Sequence, residues 1–524
     1  MSDTAEHGVI AAGHPLTAQA GAEVLRAGGN AVDAAVGAML MSFAAEPLLT
    51  GLGAGGHMLV AGAGEEPVLL DFFVQAPARR QDGGAAELDA VDVSFGDAVQ
   101  VFHIGPASCG VYGTPAGVCA AIERWGTMPL ERLSAPAARA AREGVRLNGG
   151  QAYIAKILAE LLTSTSECAA LWAPDGHVLR EGELLRNPDL GDALDLLGSA
   201  GAAPFYSGDV ARAVCEWLWA RGGSLSTAEL GAYRAIEREP LSVAYRDRTV
   251  LTNPPPSAGG TLLAYSLALL DRGPRPPRLA DVLVAMESAQ AERTAEFVEG
   301  LAQDGFLERF LAARLGSTTH ISVLDSHGRA CSVTCTNGEG SGVVVPGTGI
   351  HVNNVMGEED LNPLGFHRHP AGRRMPSMMA PSIVMLADRR SRLDDRPIGH
   401  RMGSPIGQHL ISDRSIGGAV ELVLGSAGSN RIRSAILQTI VGVVDHGLDA
   451  REAVTRPRMH FEDGIVYHEP GIDMSSLRDL HPEREVVRFH SPNLFFGGVQ
   501  AVHCSDGALT GAGDLRRGGV AVSA

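Results

Sequence analysis

Thr318-Thr-His-Ile-Ser-Val-Leu-Asp325 and Arg329-Ala-Cys-Ser-Val-Thr-Cys-Thr336 are two alternating runs separated by Ser326-His327-Gly328. A three-residue loop ending in Gly suits a bulged hairpin, because Gly reaches the left-handed conformation without a Cβ clash. Pairing Asp325 with Arg329 sets the register, so that Ser322 faces Ser332, His320 faces Thr334 and Thr318 faces Thr336. One face then carries the hydroxyls, and the other carries Ile321, Val323, Cys331, Val333 and Cys335. The apolar face packs into a core, and the hydroxyl face can present chemistry at the strand end.

A Thr hydroxyl is a poor nucleophile without a base beside it. A free α-amino group on the same residue titrates near neutrality, so cutting the chain between Ser317 and Thr318 would create nucleophile and base together. Gly316-Ser317 is small, as a scissile site should be, and Thr336 is placed to orient the Thr318 hydroxyl. Taken alone, the hairpin reads first as an ordinary Thr-rich strand pair, by a wide margin.

Working outward, residues 17–26 have helical periodicity and end at Gly28-Gly29, and Asn30 and Asp33 can cap a second helix from Ala31 that Pro47 stops. Gly51, Gly53 and Gly56 satisfy a GxGxxG pattern, but a strand follows these glycines at residues 57–61 where a dinucleotide site needs a helix. Residues 117–315 read as mainly helical, with runs at 120–124, 137–143, 154–162 and 279–300. Asn253-Pro-Pro-Pro-Ser-Ala-Gly-Gly260 interrupts them and reads as a connector. From Thr318 the texture turns to sheet. The chain is expected to form one integrated domain from segments 1–317 and 318–524.

The 524 residues are 45 % hydrophobic with a net charge of −17, which fits a globular protein and argues against nucleic-acid or anionic-membrane surfaces. Residues 1–12 lack the basic and apolar regions of a secretory signal, so a cytoplasmic location is expected. The apolar stretch 31–45 contains Asp33 and is too short to span a bilayer. The seven cysteines are scattered and read as reduced, buried thiols. His367 and His369 read as an exposed pair rather than metal ligands, and Arg79, Arg80 and Arg374 as solvated surface arginines. No cofactor or metal is expected, and no GxSxG elbow or P-loop competes with the threonine.

Along nearly its whole length the sequence resembles the gamma-glutamyltransferase family. The stretches that carry the likeness include His14-Pro-Leu-Thr-Ala-Gln-Ala-Gly21, Gly28-Gly-Asn-Ala-Val-Asp-Ala-Ala35, Glu46-Pro47 through Gly56, and Gly113-Thr-Pro-Ala-Gly117. Further ones are Pro254-Pro-Pro-Ser-Ala-Gly-Gly260, Thr318-Thr-His320, Gly347-Thr-Gly-Ile350, Asn353-Asn354, Ser377 to Pro381 and Gly425-Ser-Ala-Gly-Ser429. The resemblance implies an α+β fold, a four-layer αββα sandwich of the N-terminal-nucleophile hydrolase type, matured by cleavage before Thr318. It implies Thr318 as nucleophile, Thr336 as its supporting hydroxyl, and the N–H groups of Gly428 and Ser429 as oxyanion donors. Ser377 matches a substrate-carboxylate ligand and Glu358 an acid that binds the glutamyl amino group. Asp514, Arg516 and Arg517 resemble a closing segment that ties down the last strand.

The departures matter as much. Phe73 stands where the family has the Arg that clamps the glutamyl carboxylate, Met378 replaces a second serine, Val355 an amide-bearing residue, and Gly338 an Asn. Asn337 or Glu339 could substitute for that Asn. Three readings follow: a γ-glutamyl amide hydrolase or acyltransferase, a family member reassigned to secondary metabolism (antibiotic biosynthesis, including C–C bond hydrolysis in alkylproline formation), or an uncleaved binding protein. The enzyme readings imply a small-molecule substrate and a heterodimer of the two fragments, with further assembly left open.

Overall fold

The computed structural model describes residues 6–80, 87–94, 99–292, 319–362, 365–387, 418–475 and 484–524. A buried strand, β1 (Gly8–Ala12), leads into α1 (Pro15–Arg26) and α2 (Ala31–Ala45). The cap expected between the helices is present: the Asn30 side chain accepts from the N–H groups of Val32 and Asp33, and the Asp33 carboxylate accepts from the Asn30 N–H. Every residue of α2 is buried, as a helix apolar all round must be, and it stops one residue short of Glu46-Pro47.

The remaining sheet strands are β2 (Gly55–Gly62), β3 (Glu65–Phe72), β4 (Ile236–Arg238), β5 (Leu241–Tyr245), β6 (Arg248–Thr252), β7 (Thr319–Asp325), β8 (Arg329–Thr336), β9 (Ser382–Leu386), β10 (Val420–Ala427), β11 (Gly498–Ser505), β12 (Ala508–Gly513) and β13 (Val520–Ser523). One sheet has the order β13-β1-β7-β8-β2-β3-β4 and the other β12-β11-β10-β9-β6-β5, with every pairing antiparallel. Helices α1 and α2 cover the first sheet; α3 (Ala258–Asp271) and α4 (Arg431–Val444) cover the second. The layers run α-β-β-α, as the resemblance implied. Strands β5 and β6 correct the mainly helical reading of the middle third: β5 alternates over only five residues, β6 is nearly continuously buried, and both were masked by longer helical runs on both sides. Both sheets therefore draw strands from before and after position 318.

The hairpin register is the one the turn dictates, with His320 opposite Thr334 and Ser322 opposite Ser332. Its apolar face joins the core beneath α1 and α2. Its hydroxyl face is not open along the strand but closes against the second sheet: the Ser322 and Ser332 hydroxyls donate to the carbonyls of Gln500 and Leu424 at 3.0 Å each. The His320 ring lies between the sheets, 2.8 Å from the Thr334 hydroxyl and 2.9 Å from that of Ser322. A Cβ on Gly425 would collide with that ring, so the glycine makes its space. At the far end the layer turns apolar, with Leu324 and Ala330 beside Ile383, Val423 and Val502. The polar part of the interlayer thus lies toward the N-terminal end of β7.

Among the described residues no helix is long and apolar enough to cross a membrane. All seven cysteines are free thiols, five of them buried.

Candidate active site

Thr318 and Ser317 lie outside the described residues, which begin again at Thr319. Beside Thr319 the site can be built from what surrounds it. The Glu46 carboxylate, at the C-terminal end of α2, accepts from the Thr17 hydroxyl at 2.8 Å and from the Thr319 hydroxyl at 3.2 Å. Burial raises its pKa to about 7, against the opposing pull of the two hydroxyls. Sequence reasoning gave Glu46 no role; the signal was its place in the Glu46-Pro47 stretch.

Thr336 ends β8, and its hydroxyl accepts from the Gly338 N–H at 2.8 Å, tightening the turn that follows. Gly338 has φ +67°, and a Cβ there would collide with the Asn354 amide oxygen and a Glu358 carboxylate oxygen. Any side chain here, such as the Asn that the resemblance implied, would hold Glu358 and Asn354 off the backbone. The Asn354 oxygen also accepts from the Glu339 N–H at 3.0 Å. Asn337 is fully buried, and neither end of its amide finds a partner among the described residues. The His351 ring lies against Gly340, with its Nε2 likewise unpartnered. Thr336, Asn337, Glu339 and Glu358 are thus gathered around one turn, joined by Asn354 and His351, which sequence reasoning missed. Unpartnered polar atoms collected in one buried place mark where water or a ligand completes the bonding.

Gly428 and Ser429 form the step from β10 into α4. Both have positive φ, +118° and +58°, and their carbonyls accept from the Arg431 and Ile432 N–H groups. Among the described residues neither the Gly428 nor the Ser429 N–H donates a hydrogen bond. Two adjacent donors at the N-terminus of a 14-residue helix form an anion-binding nest. They open onto a narrow cavity that Glu339, Arg517, Ile154 and Phe495 also line.

Ser377 and Phe73 do not line this cavity. The Ser377 hydroxyl accepts from the Met379 N–H at 3.0 Å. Phe73, Val355 and Met378 are each at most 1 % exposed and share one apolar cluster with Met375 and Met379. Three of the four positions at which the resemblance implied a departure are therefore core. The segment read as a connector is packed on the same place: the Ser257 hydroxyl donates to the carbonyls of Ser377 and Met379, and a Cβ on Gly259 would collide with Met378. Its prolines obscured a buried role, because a rigid turn looks alike in solvent and in a core.

Two further expectations are corrected. Arg374 is buried, not solvated; it donates to the Phe73 carbonyl and the Tyr233 hydroxyl and pairs with Asp71 at 3.3 Å. His369 is buried, with Nε2 3.1 Å from the Leu361 carbonyl, and no group of metal ligands forms among the described residues. At the C-terminus, Asp514 pairs with Arg458 and Arg516, and Arg516 with Glu469, which fixes the approach to β13. Arg517 turns instead toward the cavity.

The layer order and the donor step at Gly428 and Ser429 define a hydrolase fold of the N-terminal-nucleophile type. A sequence profile of the gamma-glutamyltranspeptidase family matches residues 17–304, 289–394 and 399–524, and the chain belongs to that family of enzymes. It is 27 % identical to the glutathione hydrolase proenzyme of Bacillus subtilis (strain 168), covering 99 % of this chain and 92 % of that one. It is 29 % identical to the acylase ACY 1 proenzyme of Pseudomonas sp. (strain V22), covering 99 % and 94 %. Among solved structures, the cephalosporin acylase from Bacillus halodurans superposes with a TM-score of 0.78 at 23 % identity, covering 99 % of this chain and 96 % of that one, which supports the fold.

Proposed function

We propose that the chain is a self-processing amide hydrolase or acyltransferase in which Thr318, freed by cleavage after Ser317, is the nucleophile. The observation that carries this reading is the pair of unspent N–H donors at Gly428 and Ser429, opening onto a cavity beside the β8 turn. Donors that need no reorganisation stabilise the oxyanion of a tetrahedral intermediate by several kcal/mol, roughly 3 or more for one such bond. The Thr318 hydroxyl attacks the substrate carbonyl while its own α-amine takes the proton. The amine then returns that proton to the leaving nitrogen, and water or a second amine releases the acyl group. Relatives called proenzymes support self-processing, and the mixed strands of both sheets would hold fragments 1–317 and 318–524 together as a heterodimer.

The apolar burial of Phe73, Val355 and Met378 favours an amide other than γ-glutamyl. That supports the reading of a family member with a reassigned substrate over an ordinary glutathione hydrolase. Intact-mass measurement tests the nucleophile: two fragments meeting at Ser317/Thr318 are expected, and a single uncut chain in Thr318→Ala. A wild-type chain that stays whole, with no acyl-enzyme formed on any amide, would leave only the binding-protein reading.

A further inference from the structure

A second narrow cavity adjoins the one at Gly428 and Ser429, and Leu49, Ile154, Leu494 and Arg517 stand in the walls of both. It runs from Glu46, which touches Thr319, to Trp172, and its walls are otherwise largely apolar, with Leu48, Leu147 and Leu185 among them. Apolar walls next to a carbonyl-activating site favour hydrocarbon over water. Narrowness favours an unbranched chain or a flat ring over a bulky group.

Two polar atoms in this apolar space lack partners. The Trp172 Nε1 is buried with no acceptor. The Arg517 Nε is also unpartnered, and one terminal nitrogen makes a single long bond, 3.3 Å, to the Leu494 carbonyl. Its neighbours are all matched: Arg431 with Glu462, Arg458 with Asp514, and Arg516 with Glu469 and Asp514. Arg517 makes no ion pair among the described residues; Glu339 and Asp514 act on it only from longer range, and burial lowers its pKa to about 10. It stays charged at neutral pH. A half-buried guanidinium that makes no ion pair among the described residues can take an arriving carboxylate by bidentate pairing.

We infer that the joined cavities form a binding site for an apolar chain that carries a carboxylate, the chain lying between Ile154 and Trp172 and the carboxylate on Arg517. The inference rests on the amidase reading for its meaning, since it names the substrate class of that site, but its test does not need catalysis. Octanoate and octanamide serve as probes, titrated against the full chain in wild-type and Thr318→Ala forms while tryptophan emission is followed. Octanoate is expected to change the emission saturably in both, and Trp172→Phe to abolish the change. With octanoate binding followed by calorimetry, Arg517→Leu should weaken it at least ten-fold while octanamide binding stays within three-fold. Ile154→Asp should weaken both probes, and Ile154→Phe, which fills the space without adding charge, should do so even if the Asp variant folds poorly. Emission unmoved by octanoate, or Ile154→Phe binding both probes as wild type does, would overturn the site; equal loss of both probes in Arg517→Leu would overturn the carboxylate assignment. An uncleaved wild-type chain that still binds octanoate would sink the nucleophile and leave this site standing.

Discussion

The Glu46 carboxylate accepts a hydrogen bond from the Thr319 hydroxyl at 3.2 Å, one residue along the chain from Thr318. Successive Cα atoms are about 3.8 Å apart, so chain connectivity alone keeps any amine on residue 318 within roughly 11 Å of the charge on Glu46. With its pKa raised to about 7 by burial, Glu46 ionises where such an amine also titrates. A carboxylate at that distance favours the ammonium form and opposes its use as a base; at an effective dielectric of about 20 and that separation the coupling is about 1.5 kcal/mol, and more if the two lie closer. Glu46→Gln removes it. The acid limb of the kcat/KM profile is expected to move down by about one pH unit, and an unmoved limb would separate Glu46 from the reaction.

The same residue sets a stability trend. A carboxyl whose folded pKa lies above its unfolded value contributes stability that is present below about pH 4.5 and lost as pH rises to about 7. Opposing it, His14, His57, His351 and His460 are lowered to about 4 and His320 to about 3, all chiefly by burial. Their contribution is present above pH 6.5 and lost as pH falls toward those values. Each histidine is worth about 3 kcal/mol across its window, so five of them outweigh one glutamate and together reach the whole stability of an ordinary domain. Thermal melting should show a maximum near neutrality and loss of the fold before pH 4. A melting temperature constant from pH 7 to 4.5 would contradict this burial.

Alternation and a Gly-containing turn were enough to give the hairpin register, because a period of two leaves one register that buries Ile321, Val323 and Val333 together. The cap at Asn30 was legible for a similar reason: its partners are three residues away. What could not be read depends on contacts between distant segments. His320 is an ordinary strand residue until Gly425 and the second sheet close over it, and Glu46 gains its raised pKa from burial where distant segments meet, with Gly13 against it. The proline turn before Ser257 and the guanidinium of Arg374 carry turn or polar signals locally, yet Ser257 and Arg374 are both buried by partners more than a hundred residues away.

Gly428 and Ser429 should answer to substitution in opposite ways. Ser429 holds φ +58°, which costs a non-glycine residue about 1 kcal/mol, whereas glycine costs a similar amount in unfolded-state entropy. Ser429→Gly is expected to leave stability within about 1 kcal/mol and activity intact, since only the backbone N–H is used. Gly428→Ala forces φ +118° on alanine and places its Cβ 2.6 Å from the Gly497 Cα. The loop must move, carrying a donor with it, and kcat should fall by about a hundred-fold or more. Equal activity in both variants would remove these N–H groups from the oxyanion site.

Placing at position 73 the arginine that the resemblance implied should not create glutamyl recognition. Phe73 is 1 % exposed, and its carbonyl is already held by Arg374. The carboxylate two residues before it, Asp71, already takes Arg374 at 3.3 Å, Arg238 at 2.8 Å and His57 at 3.5 Å. A second guanidinium would enter an apolar cluster beside an existing one, with no acid left to pair with it. Burying an unpaired charge costs about 3–5 kcal/mol in practice, well above the gain from one exposed contact to substrate. Phe73→Arg is therefore expected to lower the melting temperature and soluble yield and to leave turnover of a γ-glutamyl anilide no higher than wild type. A rise in that turnover would mean that the pocket can reopen toward solvent, and that Val355 and Met378 are poised to part rather than packed as core.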